Sequence, residues 1–237
     1  MAEIIRCAVS DALAYQKGGA DAVIVENFGD VPFTGGRVAS ETVAAMALAG
    51  AEIAEALSGT ELPLGFNVLR NDALSGLGLC AAVGGDFIRV NVHSGAMVTD
   101  QGLIEGDAYT TVRARDRIAP QVAILADVHV KHASPVGGVG QDIRVSAQDT
   151  YKRAHADGLI VSGSGTGAPT DQGELESVRE ACPDAPIFVG SGADAESAGT
   201  LLKQASGLIV GTAAKKGGKL DQPVDPERVA EIRSAFP

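Results

Sequence analysis

Between Ala123 and His132 the chain reads AILADVHVKH, and this alternation is the strictest constraint it carries. Successive side chains of a strand point to opposite faces, so Asp127, His129 and Lys131 share one face and Ile124, Ala126, Val128 and Val130 the other. Residues 87–93, FIRVNVH, repeat the pattern, with Arg89, Asn91 and His93 on one face and Ile88, Val90 and Val92 opposite. An open sheet with one wet side would make this ordinary. Here both strands belong to a chain that alternates strand and helix signals, and such chains cover a sheet face with helices. The apolar face then meets the helices, and the charged face turns into a barrel lumen or a crevice. Charges there cost several kcal/mol each unless they are paired or wet. The pattern marks a site.

The rest of the chain repeats the same unit. Helices are expected over 3–17, 39–57, 73–83, 107–118, 146–156, 173–181, 194–204 and 225–235. Strands are expected over 21–27, 63–70, 87–93, 122–131, 158–162, 186–190 and 207–212, with residues 94–106, SGAMVTDQGLIEG, as a long loop. Glycines follow the helices and Asp or Ser precede them, as caps require. Eight βα units close a barrel, whereas seven leave two unpaired edges. The chain opens on a helix with no strand before it. The expected fold is a (β/α)8 TIM-type barrel lacking its first strand in this chain, as a single domain over 1–237. Either the start lies too late or the barrel is incomplete, and a late start is favoured. An open doubly wound sheet is the alternative.

Composition narrows the partners. Against 19 Lys and Arg stand 30 Asp and Glu, a net charge of −11 that disfavours nucleic acid. A high-salt cytoplasm selects such acidity, and acidic proteins also occur without it. Cys7, Cys80 and Cys182 show no CxxC or metal spacing and read as buried free thiols in a reducing, cytoplasmic setting. The first residues lack the apolar core of a signal peptide, and no apolar run is long enough for a transmembrane segment. Peripheral membrane association and a homo-oligomer stay open. No metal and no cofactor are expected. His129, His132 and His155 share no metal spacing, and His155 falls on a surface helix.

Two glycine turns end the last strands, GSGAD at 190–194 and GLIVGTAAK at 207–215. Backbone N–H groups at such turns can wrap a phosphate, and barrels frequently bind phosphate after their last two strands. Gly190, Ser191, Gly192, Gly211 and Thr212 are the expected contacts, with Gly163, Gly165 and Gly167 extending the cradle. Tight turns that merely need glycine are the competing account. Lys131 ends its strand where barrel enzymes keep catalytic groups; among apolar walls its pKa falls and it can act as base or Schiff-base nucleophile. Asp127 serves acid–base chemistry, or pairs with Arg89 merely to order the lumen. Glu26, Asn27, Asn67, Arg70, Asn71, Asp72, Asn91 and His93 form a polar rim. The expected catalytic set is Lys131, Asp127, Glu26 and Asn91, and Asn27, Asn67 and Arg89 join the ligand contacts. For Asn71 and Asp72, capping of the next helix is as good an account as ligand contact.

VENFGDVPF (25–33), NVLRND (67–72), FIRVNVHSGAMVTDQGLIEG (87–106), LADVHVKH (125–132), GTG (165–167), VGSG (189–192) and GLIVGTAAK (207–215) together resemble the BtpA family over nearly the whole chain. The resemblance implies a ribulose-phosphate-binding barrel with a phosphate end. The family is linked to photosystem I biogenesis in cyanobacteria, yet members outside photosynthetic cells, some near sugar-utilisation genes, imply another general role. The family's first strand carries a His-Leu-x-Pro-Leu-Pro-Gly type segment that has no counterpart here. Two readings follow: an isomerase- or lyase-like enzyme acting on a small phosphorylated sugar, or a non-catalytic assembly factor for a membrane complex such as photosystem I. The polar lumen favours the first, and the family's naming the second.

Overall fold

The computed structural model describes residues 1–136, 142–163, 170–190 and 192–236. Its strands are β1 (Val23–Glu26), β2 (Leu64–Asn67), β3 (Phe87–Val90), β4 (Ala96–Thr99), β5 (Gly102–Glu105), β6 (Ala123–Val128), β7 (Ala133–Pro135), β8 (Gly158–Val161), β9 (Ile187–Val189) and β10 (Gly207–Leu208). Its α-helices are α1 (Ala2–Lys17), α2 (Ser40–Ala56), α3 (Ala73–Val83), α4 (Ala108–Ile118), α5 (Ile143–Gln148), α6 (Gln172–Ala181), α7 (Ala195–Leu201) and α8 (Pro226–Arg233). Six of the eight begin at an aspartate, 72, 107, 142, 171, 194 or 225, whose carboxylate accepts from the first-turn backbone. Part of the acidic excess is therefore capping.

Seven strands form one parallel sheet in the order β1-β2-β3-β6-β8-β9-β10. The fold is a (β/α)-barrel with seven strands among the described residues. Alternate residues fix its two faces. Ile88, Val90 and Ile124 pack toward the helices with Val23, Leu64 and Phe66, while Val128, Leu159, Val161, Ile187 and Val189 pack under α5, α6 and α7. The other face forms the lumen, and large rings over glycines floor it. A Cβ at Gly65 would lie 2.2 Å from the Phe87 ring, and one at Gly207 would lie 2.9 Å from that of Phe188. Helix α1 packs on both α2 and α8. It also grips the segment from Val210 to Val224. The Tyr15 hydroxyl donates to Val210 O (2.9 Å), and the Asp11 carboxylate accepts from Val224 N (2.9 Å) and from Lys215 Nζ (3.4 Å).

Several expected boundaries need correction. Residues 94–106 are not a loop: β4 and β5 form an antiparallel hairpin that β7 joins. Its Met97 and Ile104 close a small apolar cluster with Val92 and Val130. The strands expected to reach 93 and 131 stop at Val90 and Val128. Beyond β6, His129 takes a left-handed φ of 53°, which swings its ring out of register and ends the alternation. The helix expected over 146–156 starts at Ile143 and finishes in a π-turn, Asp149–Arg153. His155 lies past that turn, exposed. The strand expected to 212 ends at Leu208, and a short 3-10 turn occupies Thr212–Ala214. Cys80 and Cys182 are buried free thiols, but Cys7 is exposed on α1.

Candidate functional site

All seven parallel strands end at one rim, and the side chains with chemistry gather there. Asp127, from the lumen face of β6, has no exposed side-chain surface. Arg89 of β3 meets it bidentately, Nε to Oδ2 at 2.9 Å and Nη2 to Oδ1 at 2.8 Å. Asn91 Nδ2 donates to Oδ2 (3.0 Å) and Ser162 Oγ to Oδ1 (3.0 Å). Four hydrogen bonds use the acceptor capacity of a carboxylate. This is the arrangement of a buried frame. Burial alone would lower the Arg89 pKa, but the charge and hydrogen bonds of Asp127, helped by Glu26, push it above its ordinary value.

A second, shallower layer lies at the mouth. Glu26, at the end of β1, accepts from Asn67 Nδ2 (2.8 Å) and stands 3.6 Å from Arg89 Nη1, with a quarter of its side chain exposed. Lys131 is half-buried, and among the described residues its ammonium has no hydrogen bond or ion pair. Burial first, and then the neighbouring Arg89, lower its pKa against the opposing pull of Glu26 and Asp127. Arg70, placed at the rim by the sequence but given no role there, is buried and donates Nη2 to Lys131 O at 2.6 Å. Burial lowers its pKa too. The signal for it was an arginine directly after the apolar Val68-Leu69 pair.

Other expected contacts are engaged elsewhere. The Asn27 amide is occupied by Leu69 N (2.7 Å), Asp30 (3.1 Å) and Leu69 O (3.4 Å). Asn71 brackets the Val92 backbone, and Asp72 caps α3 and accepts from Val38 N, so both are structural. His93 and His129 leave the lumen despite their place in the alternation. His93 is buried with Nε2 3.0 Å from Ala154 O, and His129 Nε2 lies 3.0 Å from Ser146 Oγ on α5. Burial lowers the pKa of both, for His93 against the pull of the Ala154 carbonyl.

At the far side of the rim, Gly190 donates its amide to Val161 O (2.9 Å) and so has no free N–H for a ligand. A Cβ there would sit 2.3 Å from Ile160 Cγ2 and 3.3 Å from Arg89 Nη2, so glycine is needed for room. Gly192 has φ 74°, and Asp194 then caps α7 through a reciprocal pair with Ser197. Gly211 is exposed and Thr212 half-buried, opening the 3-10 turn, and Gly163 is buried beside Ser162. Ser191, Gly165 and Gly167 lie outside the described residues.

With the rim in view, comparison with known proteins is informative. The BtpA family model matches residues 1–236. The chain belongs to the BtpA family. A photosystem I biogenesis protein, BtpA of Synechocystis sp., is 44% identical over 234 residues, 98% of this chain and 79% of its own length. An uncharacterised protein of Thermococcus kodakarensis is 43% identical over 230 residues, 97% of this chain and 84% of its own. A putative sgc region protein of Escherichia coli, SgcQ, is 34% identical over 97% of this chain and 83% of its own. Among solved structures, thiamine phosphate pyrophosphorylase from Pyrococcus furiosus superposes with a TM-score of 0.61 at 18% identity, covering 96% of this BtpA-family chain and 88% of its own. Phosphoribosyl anthranilate isomerase from Thermococcus kodakaraensis gives 0.61 at 15%, covering 95% and 92%. At these identities the likeness is one of fold. Among the described residues, no helix is long and apolar enough to cross a membrane.

Proposed function

We propose that this BtpA-family protein binds a small phosphorylated, sugar-phosphate-like metabolite at the C-terminal rim of its barrel and acts on it through Lys131. The charge balance of the mouth carries the reading. Arg70, Arg89 and Lys131 face Glu26 and Asp127, an excess of one positive charge in a site where burial strengthens every interaction. The excess attracts an anion, and the open backbone at Gly192, Gly211 and Thr212 supplies the N–H donors for its oxygens. The fold neighbours whose names include phosphate compounds support this by analogy alone. Lys131, with its pKa lowered, sheds its proton more readily than a solvated lysine. It then takes a proton from the bound substrate or adds to a carbonyl carbon. Glu26, the accessible carboxylate, is its acid–base partner. Asp127 holds Arg89 and Asn91 in place beneath.

Melting curves against a panel of sugar phosphates test the reading. A ligand at a hundred times its Kd adds about 2.7 kcal/mol to stability. Wild type should respond and Lys131→Met should not. Lys131→Arg should keep binding and lose turnover, because a guanidinium stays protonated near neutral pH. Full activity in Lys131→Arg would reduce the lysine to a positive charge. The name of the Synechocystis relative favours an assembly role instead. That role predicts no response to any phosphate ester in either protein.

A further inference from the structure

The lumen is not the only space that Asp127 and Asn91 border. A cavity of about 340 Å³ opens beside them, between the ends of β3 and β6 and the segment that runs from α5 through the π-turn. That volume lies in the range of small-molecule sites. Its wall comes from three pieces of backbone that depart from the regular barrel unit. The left-handed His129 turns its ring toward α5 instead of the lumen. The π-turn contributes Asp149, Thr150 and Arg153. The β4–β5 hairpin closes the remaining side through Ala96 and Met97.

The polar groups of this wall are largely paired with one another. Ser94 and Thr150 join hydroxyls at 2.7 Å, the His129 ring meets Ser146, and Arg153 lies 3.7 Å from Asp149. Asp127 carries its charge against Arg89. Burial lowers the His129 pKa and so favours its uncharged form. Among the described residues Arg153 is the one cation that lines the cavity, and its largely exposed side chain stands 3.7 Å from Asp149. The cavity thus differs in kind from the mouth beside it. The mouth has positive charge in excess, and the cavity offers hydroxyls, a neutral imidazole and two compensated carboxylates.

We infer that the ligand is bipartite: a phosphate monoester whose uncharged, hydroxyl-bearing moiety enters the cavity beside His129, Ser94 and Thr150 while its anionic end stays at the positively charged rim. The inference rests on the phosphate-ester reading above and specifies which esters qualify. A second anionic group at the far end of the molecule would meet Asp127 and Asp149, with only the exposed Arg153 to oppose them. Monophosphates of neutral sugars or polyols should therefore bind, and bisphosphates or carboxylated phosphates of similar size should be rejected.

The test compares inorganic phosphate with a neutral sugar monophosphate and its bisphosphate, read as melting-temperature shifts on the whole chain. Wild type should rise most with the monophosphate, less with phosphate and least with the bisphosphate. Ser94→Leu fills the cavity. It should leave the phosphate response unchanged and bring the monophosphate response down to the level of phosphate. Ala96→Leu fills the same space from the hairpin and serves if Ser94→Leu does not fold, which circular dichroism reports. A folded filled variant that keeps the full monophosphate response overturns the inference. So does a wild type that binds the bisphosphate as well as the monophosphate. A wild type that responds to none of the three removes the phosphate reading itself, and the inference with it.

Discussion

The two layers of polar residues in this barrel stand a few ångströms apart and obey different rules. The inner layer, Arg89, Asp127, Asn91 and Ser162, is buried, and the other three members bond to the Asp127 carboxylate. In the outer layer, Asn67 and Arg70 are as buried as the inner residues, but Glu26 and Lys131 are partly exposed, and the Lys131 ammonium is unpaired among the described residues. The same residue types occur in both. Their difference lies in how many partners each charge already has. A saturated charge holds the frame, and an unsaturated one remains available to a ligand.

Breaking the inner layer should have the largest effect. Asp127→Ala leaves Arg89 buried with only the longer contact to Glu26, and a broken buried pair costs about 3–5 kcal/mol. Urea denaturation measures it. Replacing both partners, as in Arg89→Met with Asp127→Leu, should recover most of the loss, and failure to recover would mean that the pair also specifies strand packing. Gly190→Ala comes next. Its Cβ meets Ile160 Cγ2 at 2.3 Å, and overpacking costs about 1–3 kcal/mol by the same denaturation measurement.

The histidines that leave the lumen set a smaller, pH-dependent effect. His93 and His129 have pKa values lowered in the folded state. Above the unfolded value of about 6.5 both states are neutral and nothing is lost. Below it the unfolded chain takes up protons that the folded chain refuses, so stability falls as pH falls, by at most about 1.4 kcal/mol per pH unit for each histidine. Melts at pH 7.5 and 5.5 should show the drop, and His93→Gln should reduce it. The smallest stability effect belongs to the outer layer. Lys131→Met should change unfolding free energy by no more than about 0.5 kcal/mol, since it removes an unpaired, half-buried charge and keeps its stem. A loss comparable to that of Asp127→Ala would erase the distinction between the layers.

The sequence made the inner layer legible because the period of two places Arg89 of β3 and Asp127 of β6 in the lumen, and Asn91, one residue past the end of β3, still keeps it. It misled at His93 and His129, where the strands had already ended. A left-handed residue leaves no trace in hydrophobic alternation when it is a histidine in place of a glycine. The hairpin was missed for a related reason. Residues 96–99 and 102–105 are each four long, and their alternation, with Met97 and Ile104 inside and Val98 and Leu103 outside, is brief enough to pass for a loop. Asn27 reads as a ligand contact, and Asn71 and Asp72 read equally as ligand contacts or helix caps, because polar residues at a strand end look alike whether they face a ligand or a neighbouring backbone; Asp72 takes the capping role. Arg70 could not be given a role, since its partner, the carbonyl of Lys131, lies 61 positions away.

The grip of Asp11 and Tyr15 on Val224, Lys215 and Val210 joins segments about two hundred positions apart. During synthesis, α1 cannot meet these partners until the roughly two hundred residues that follow it have left the ribosome. Its apolar side, including Ala12 and Tyr15, stays incompletely covered until then. Closing so long a loop is slow, because its entropy is lost before the contacts form. Once made, the contact couples α1 to α8, so their amide protons should exchange with solvent in one concerted opening instead of fraying separately.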